Sequence, residues 1–145
     1  MSSRERRHLE ARSQIRHQSL RASLVEFSKA LKAPAEPRAV AKQFTELHGA
    51  ISDHFAFEEE GGYFEGVLSD APWLAAEVKI LRKQHAVFLQ ELLELEGLVE
   101  PKKKRRSWKD MEVAFRRFRR RIVDHENREN RLIQRAAMRD LGPSD

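Results

Sequence analysis

Apolar side chains recur along the chain at alternating steps of four and three, the spacing that lays a single buried stripe along an α-helix. The pattern occurs four times. Leu20, Leu24, Phe27 and Leu31 make the first stripe, and one further step of three backwards reaches His17. Val40, Phe44, Leu47 and Ile51 make the second, which His54 and Glu58 continue at the same spacing. The third is Leu74, Val78, Leu81, His85, Phe88, Leu92 and Leu95, with a histidine in place of a core leucine. The fourth runs through Met111, Phe115, Phe118, Ile122, His125, Glu129, Leu132 and Ala136. Leu9 and Ile15 fall off the first register, so the first dozen residues are expected to be helical without being packed.

Breaks separate the stripes. The AlaProAlaGluPro segment at 33–37 ends the first helix, because each proline disfavours helix in the residue before it. The second helix starts near Pro37, and Gly61 and Gly62 kink it, end it, or admit a close backbone contact. A firmer break falls at 69–72, with Ser69 or Asp70 as N-cap and Pro72 in the first turn of a third helix over about 73–98. After Gly97 and Pro101, Ser107 with Asp110 resembles a capping box for a fourth helix that ends before Gly142 and Pro143. Four helices on short links predict an all-α, antiparallel up-down-up-down four-helix bundle.

Composition agrees with that fold. A chain of 145 residues suits one domain, and 35% charged residues against 6 Gly and 5 Pro favours long amphipathic helices over turn-rich sheets. With no cysteine, disulfides and thiolate metal sites are excluded, leaving His and carboxylates as the strong ligands available. The N-terminus lacks the apolar core of a secretory signal, and no apolar run approaches the roughly 20 residues that cross a bilayer. A soluble, cytoplasmic protein is therefore expected. The net charge of +5 permits an anionic partner without identifying one.

The polar residues on the seams carry the chemistry. His54 with Glu58, and His125 with Glu129, are four apart and so share a helical face, while His17 and His85 stand alone on the other two seams. Fourteen residues separate Leu31 from His17 and Val40 from His54, so the turn between them sets both histidines at one height. His54 and His85 differ by only about 3 Å in distance from the next turn, at 1.5 Å per residue. The fourth-helix pair lies about a turn further from its connection, a mismatch that the longer basic loop absorbs. For any one of these histidines a hydrogen-bonded core or surface position is the ordinary reading. Six such groups at one depth would burden a small core heavily unless cations neutralise them. His17, His54, Glu58, His85, His125 and Glu129 are thus the candidate ligands of two metal ions, each taking two imidazoles and sharing the two carboxylates. Nitrogen and oxygen donors of this kind suit iron, manganese or zinc. His8 and His48 lie off the seams and are expected to be exposed.

Ferritin-like diiron bundles carry Glu-x-x-His on two helices, and here only Glu5 with His8 has that spacing, away from the core. The segments HFAFEEEGGYF, KQHAVFLQEL and DHENRENRLIQ instead resemble the signatures of the hemerythrin-like, or HHE cation-binding, family over about residues 9–141. That resemblance implies a non-haem diiron centre, with His17 and His54 on one iron, His85 and His125 on the other, and Glu58 and Glu129 bridging. It also implies a protein that binds or senses oxygen, oxidants, nitric oxide or iron, with a diatomic molecule or peroxide as its small ligand. Oxygen-carrying hemerythrins have a second histidine one turn from the first on the third helix, where this chain has Leu81 and Leu89. They place an aspartate five residues beyond the fourth-helix histidine, where this chain has Asn130 and offers Glu129. One nitrogen fewer leaves the site more open or more weakly metallated and argues against simple reversible oxygen carriage. The alternatives are a small diiron oxidase or peroxidase, and a basic interaction module with incidental metal.

The remaining features have plainer readings. Glu59 and Glu60 flank the ligand glutamate, where one could substitute as a ligand, and are read as solvated or cation-attracting, while Tyr63, within reach of a hydrogen bond to the cluster, is read as packing at the kink. Trp73 and Trp108 are read as packing at the bundle ends. The basic residues Lys102 to Arg106, with Arg116, Arg117, Arg119, Arg120 and Arg121, avoid the seam, so a solvated face takes precedence over a nucleic-acid or other anionic surface.

Overall fold

The computed structural model describes residues 2–32, 36–100 and 107–140. The elements are α1 (Ser3–Lys32), α2 (Pro37–Glu59), α3 (Tyr63–Asp70), a single 3-10 turn (Pro72–Leu74), α4 (Ala75–Leu98) and α5 (Ser107–Asp140). The four long helices form a ring in which α1 packs on α2, α2 on α4, α4 on α5 and α5 back on α1. Ring contacts fix their directions. Phe27 meets Phe44 at 5.6 Å while His17 meets His54 at 4.9 Å, so α1 and α2 are antiparallel. Phe88 on Phe118 with His85 on His125 gives the same result for α4 and α5. Phe27 on Phe115 with the His17–Glu129 contact makes α1 and α5 antiparallel, and His48–Glu96 with Phe55–His85 does so for α2 and α4. The bundle is therefore up-down-up-down, as the seam pattern predicts. Among the described residues no helix is long and apolar enough to cross a membrane.

Two apolar clusters divide the interior. One holds Leu20, Phe27, Phe44, Phe88, Phe115 and Phe118, and the other holds Tyr63, Phe64, Val67, Leu74, Leu81 and Leu132. The seam histidines and glutamates lie between them along every helix, so the polar layer is walled at both ends by packed side chains.

The end of the bundle beside that layer is where the structure adds most to the sequence reading. Gly62 adopts φ 90, ψ 0, a left-handed conformation that an L side chain resists, and it ends the turn after α2 by starting α3. At Gly61 a Cβ would lie 2.5 Å from the Phe57 carbonyl oxygen, so the two glycines serve different purposes. The glycine pair alone does not predict α3 as a separate helix. α3 exists because Tyr63, Phe64 and Val67 fall on one side and cover the bundle end.

Some local expectations are corrected. Ser69 and Asp70 are the last residues of α3 rather than caps of the next helix, whose 3-10 start follows Ala71 with no side-chain cap bond. Asp70 pairs instead with Arg6 at 3.0 Å, a tertiary contact that competes for its carboxylate. His48 is half-buried rather than exposed, since α4 brings Glu96 to 4.0 Å from it. Trp108 packs on the first apolar cluster as expected, whereas Trp73 remains 43% exposed. Leu9 is half-buried against the second cluster, and Ile15 stays outside at 66% exposure. The basic run 102–106, most of the 33–37 break, the Gly142–Pro143 stop and the Ser107 side chain of the expected capping box lie outside the described residues.

Candidate metal centre

Each long helix delivers its seam residue to the same layer. His17 comes from α1, His54 and Glu58 from α2, His85 from α4, and His125 and Glu129 from α5, all six buried. His125 reaches that layer despite its longer run from the start of α5. It lies eighteen residues after Ser107, whereas His85 lies thirteen before Leu98, so α5 begins beyond the end of α4.

All four imidazoles turn Nε2 inward. His17 Nε2 is 3.0 Å from Glu129 Oε2, His54 Nε2 is 3.3 Å from Glu58 Oε1, and His125 Nε2 is 2.6 Å from Glu129 Oε1. His85 Nε2 is central, 3.1 Å from Glu58 Oε1, 3.6 Å from Glu129 Oε1 and 3.1 Å from His125 Nε2. Ligand atoms of His17, His54, Glu58 and Glu129 lie within 4.8 Å of one another, and so do those of Glu58, His85, His125 and Glu129. Both carboxylates belong to both sets.

Hydrogen bonding accounts for only part of this close approach, joining His17 Nε2 to Glu129 Oε2 and His85 Nε2 to His125 Nε2. Neither oxygen of Glu58, nor Oε1 of Glu129, nor Nε2 of His54 has an aligned hydrogen-bond partner. Donors placed about 2.1 Å from a common cation would be separated by about 3.0 Å in octahedral and 3.4 Å in tetrahedral geometry. Most of the observed spacings fall at those edges, so the residues fit a pair of metal ions better than they fit one another. The two facing Nε2 atoms make the same point, since two lone pairs 3.1 Å apart require a proton or a cation between them.

Electrostatics follow from burial. Burial, then the Glu129 charge, pushes Glu58 well above the usual carboxyl range. Burial also acts to raise Glu129, but its close polar contacts with Glu58, His125, His17 and His85 outweigh that and hold it well below. The pair accordingly prefers a single negative charge without metal. Burial pushes His54 down to about 4, which keeps its imidazole neutral and able to coordinate at ordinary pH.

Several neighbours were not singled out by the seam pattern. Gln84 Oε1 accepts from His125 Nδ1 at 2.6 Å, and Phe55 stacks on the His85 ring at 4.0 Å. Glu126 is buried, with Oε2 accepting from Arg21 Nε at 3.0 Å, and burial raises its carboxyl above the usual range. The available signal was positional: Glu126 follows Ile122 by four, and Arg21 follows His17 by four. Of the weighed neighbours, Glu59 stays exposed with Oε2 3.5 Å from His85 Nδ1, and Glu60 faces solvent. Tyr63 is fully buried with no hydrogen-bond partner for its hydroxyl.

Two clefts reach the layer from outside. One of about 400 Å³ between α1 and α5 is lined by Gln14, Gln18, Arg21, Asn130 and His17. The other, about 380 Å³ between α4 and α5, includes Gln84, Phe88, Arg121 and His125. Small solutes therefore have a route to imidazoles of both ligand sets. On the basic stretch of α5, Arg116 pairs with Glu112, Arg119 donates to Ser28, and Arg121 pairs with Glu91 at 2.6 Å.

The family model described as the hemerythrin HHE cation binding domain matches residues 14–137. No match was found among curated proteins or among solved structures.

Proposed function

Because the chain belongs to the hemerythrin HHE cation-binding domain family, we propose that His17, His54, Glu58, His85, His125 and Glu129 hold two iron ions, and that the centre senses, stores or scavenges a small ligand such as oxygen, peroxide, nitric oxide or iron itself. One observation carries this reading: four Nε2 atoms and two carboxylates converge at about ligand-edge spacings, with both Glu58 oxygens, Glu129 Oε1 and His54 Nε2 lacking an aligned hydrogen-bond partner. His17 and His54 serve one ion, His85 and His125 the other, and Glu58 and Glu129 face both. Bound iron would supply one-electron exchange with oxygen-derived ligands. The chain's own part is to orient the imidazoles, exclude bulk water behind the two apolar clusters, and admit small solutes through the clefts beside His17 and His125.

Iron analysis of protein purified without added metal, and again after anaerobic loading, tests the proposal. About two equivalents per chain are expected, following the two ligand sets. Failure to retain iron, with another metal held in its place, would remove the iron assignment. Retention of no metal at all would remove the site. Peroxide then separates the functional classes: a single stoichiometric spectral change supports the sensor or store, and sustained consumption would replace it with a diiron peroxidase.

A further inference from the structure

The two ligand sets have the same inner composition, two imidazoles with two shared carboxylates, yet their outer surroundings differ. Behind His125, Gln84 presents its amide oxygen 2.6 Å from Nδ1. Behind His85, Glu59 Oε2 stands 3.5 Å from Nδ1, a charge contact without a hydrogen bond. Their rings are also fixed in plane, His85 by Phe55 stacked at 4.0 Å and 13°, and His125 by Phe88 set edge-on at 5.4 Å and 87°. His17 Nδ1 and His54 Nδ1 are buried without a hydrogen-bond partner, as His85 Nδ1 is, and their rings lean on each other at 4.9 Å, so of the four imidazoles His125 has the bonded acceptor behind Nδ1.

An acceptor behind Nδ1–H fixes the tautomer that leaves Nε2 free to coordinate, and it raises the basicity of that nitrogen. Building on the two-metal reading, we propose that Gln84, assisted by Glu59, is a positioning residue that makes the His85/His125 position the tighter one. That position fills first, and the His17/His54 position fills second and exchanges its metal more readily. The placement is economical in sequence. Gln84 and His85 are neighbours on α4, so one turn supplies an imidazole of this position and the acceptor behind the other imidazole.

The test is a titration of the metal-free protein with iron(II) under anaerobic conditions, read by competition with a chromophoric chelator. Wild-type chain gives two steps separated by about tenfold or more, the usual scale of a lost outer-shell partner. His54→Ala keeps only the tighter step, and His85→Ala keeps only the weaker one. Gln84→Met, close in volume, weakens the tight step by about tenfold while the weak step moves by less than about twofold, and Gln84→Glu restores or strengthens it. A role in general stability would lower both steps together and would not be rescued by Glu. Two equal steps in wild type, or a Gln84→Met variant that shifts both steps or neither, overturns this inference and leaves the two-metal reading intact. Uptake of fewer than two equivalents by wild type overturns the two-metal reading itself.

Discussion

His85 on α4 and His125 on α5 bring their Nε2 atoms to 3.1 Å, with no apolar residue between them. Together with Glu58 and Glu129 they form a buried polar layer that suits a cation and strains the chain without one.

Removing that strain should stabilise the metal-free protein. Glu58 has both carboxylate oxygens buried without aligned partners, so Glu58→Met exchanges an unsatisfied acid for a side chain of similar volume. Thermal melts in chelator should show a gain of about 1–4 kcal/mol, while the stabilisation that added metal gives wild type disappears. A lower melting temperature in chelator would mean that the carboxylate is already satisfied in the empty site.

Proton linkage gives a second expectation. The raised carboxyls of Glu58 and Glu126 keep protons that the unfolded chain gives up above about pH 4.5, so the stability they contribute is lost as pH rises through their folded values. His54, lowered to about 4, works the other way: its contribution is present above about pH 6.5 and is lost as pH falls towards 4. Glu129, held low, matters only below about pH 4.5. Above about pH 6.5 the His54 contribution is complete, so the metal-free chain can then only lose stability as pH rises, and metal that replaces the Glu58 proton removes that loss. Calorimetric metal uptake at pH 7 in buffers of different ionisation enthalpy should register proton release. Uptake without proton release would place Glu58 in the ionised form beforehand.

The two glycines after α2 should respond unequally. Gly62→Ala places a side chain at φ 90 with open space around it, costing about 1 kcal/mol. Gly61→Ala drives a Cβ to 2.5 Å from a backbone oxygen and must displace Phe57, over whose ring Arg16 sits at 4.2 Å and Arg12 at 5.1 Å. A loss of about 1–3 kcal/mol is expected in denaturant melts. Equal losses would show that this turn relaxes freely.

Tyr63 offers a simple control. Its hydroxyl is buried without a partner, and burial followed by the charges of Glu129 and Glu58 pushes its ionisation well up. Tyr63→Phe should leave the metal-free melt unchanged or raise it by about 1 kcal/mol, because the neighbouring Ser13 hydroxyl is not aligned to bond it. A clear decrease would reveal a bonded hydroxyl.

Much of the centre was legible before folding because helical periodicity carries it. Steps of four and three put His54 beside Glu58 and His125 beside Glu129 on the faces that Phe44 and Phe118 mark as buried. The distances of His17, His54 and His85 from the proline breaks set their common height. What stayed hidden depends on how one helix is turned against another. Gln84 sits one residue off the α4 seam, and only the approach of α5 makes it the partner of His125. Glu126 is likewise one residue off its seam, and its burial depends on Arg21 arriving from α1. Asp70 reads as a cap until Arg6 claims it from the other end of the chain.

The sequence alone determined four long amphipathic helices and six of the polar side chains they bury, since a stripe at 3.6-residue spacing has one inward face whatever its neighbours do. Tertiary structure decided which nitrogen of each imidazole faces inward, which carboxylate oxygens it meets, and what stands behind it. Those relations span different helices. They are set by the rotation and height at which packed apolar side chains lock the rods together, which the spacing along any single helix does not contain.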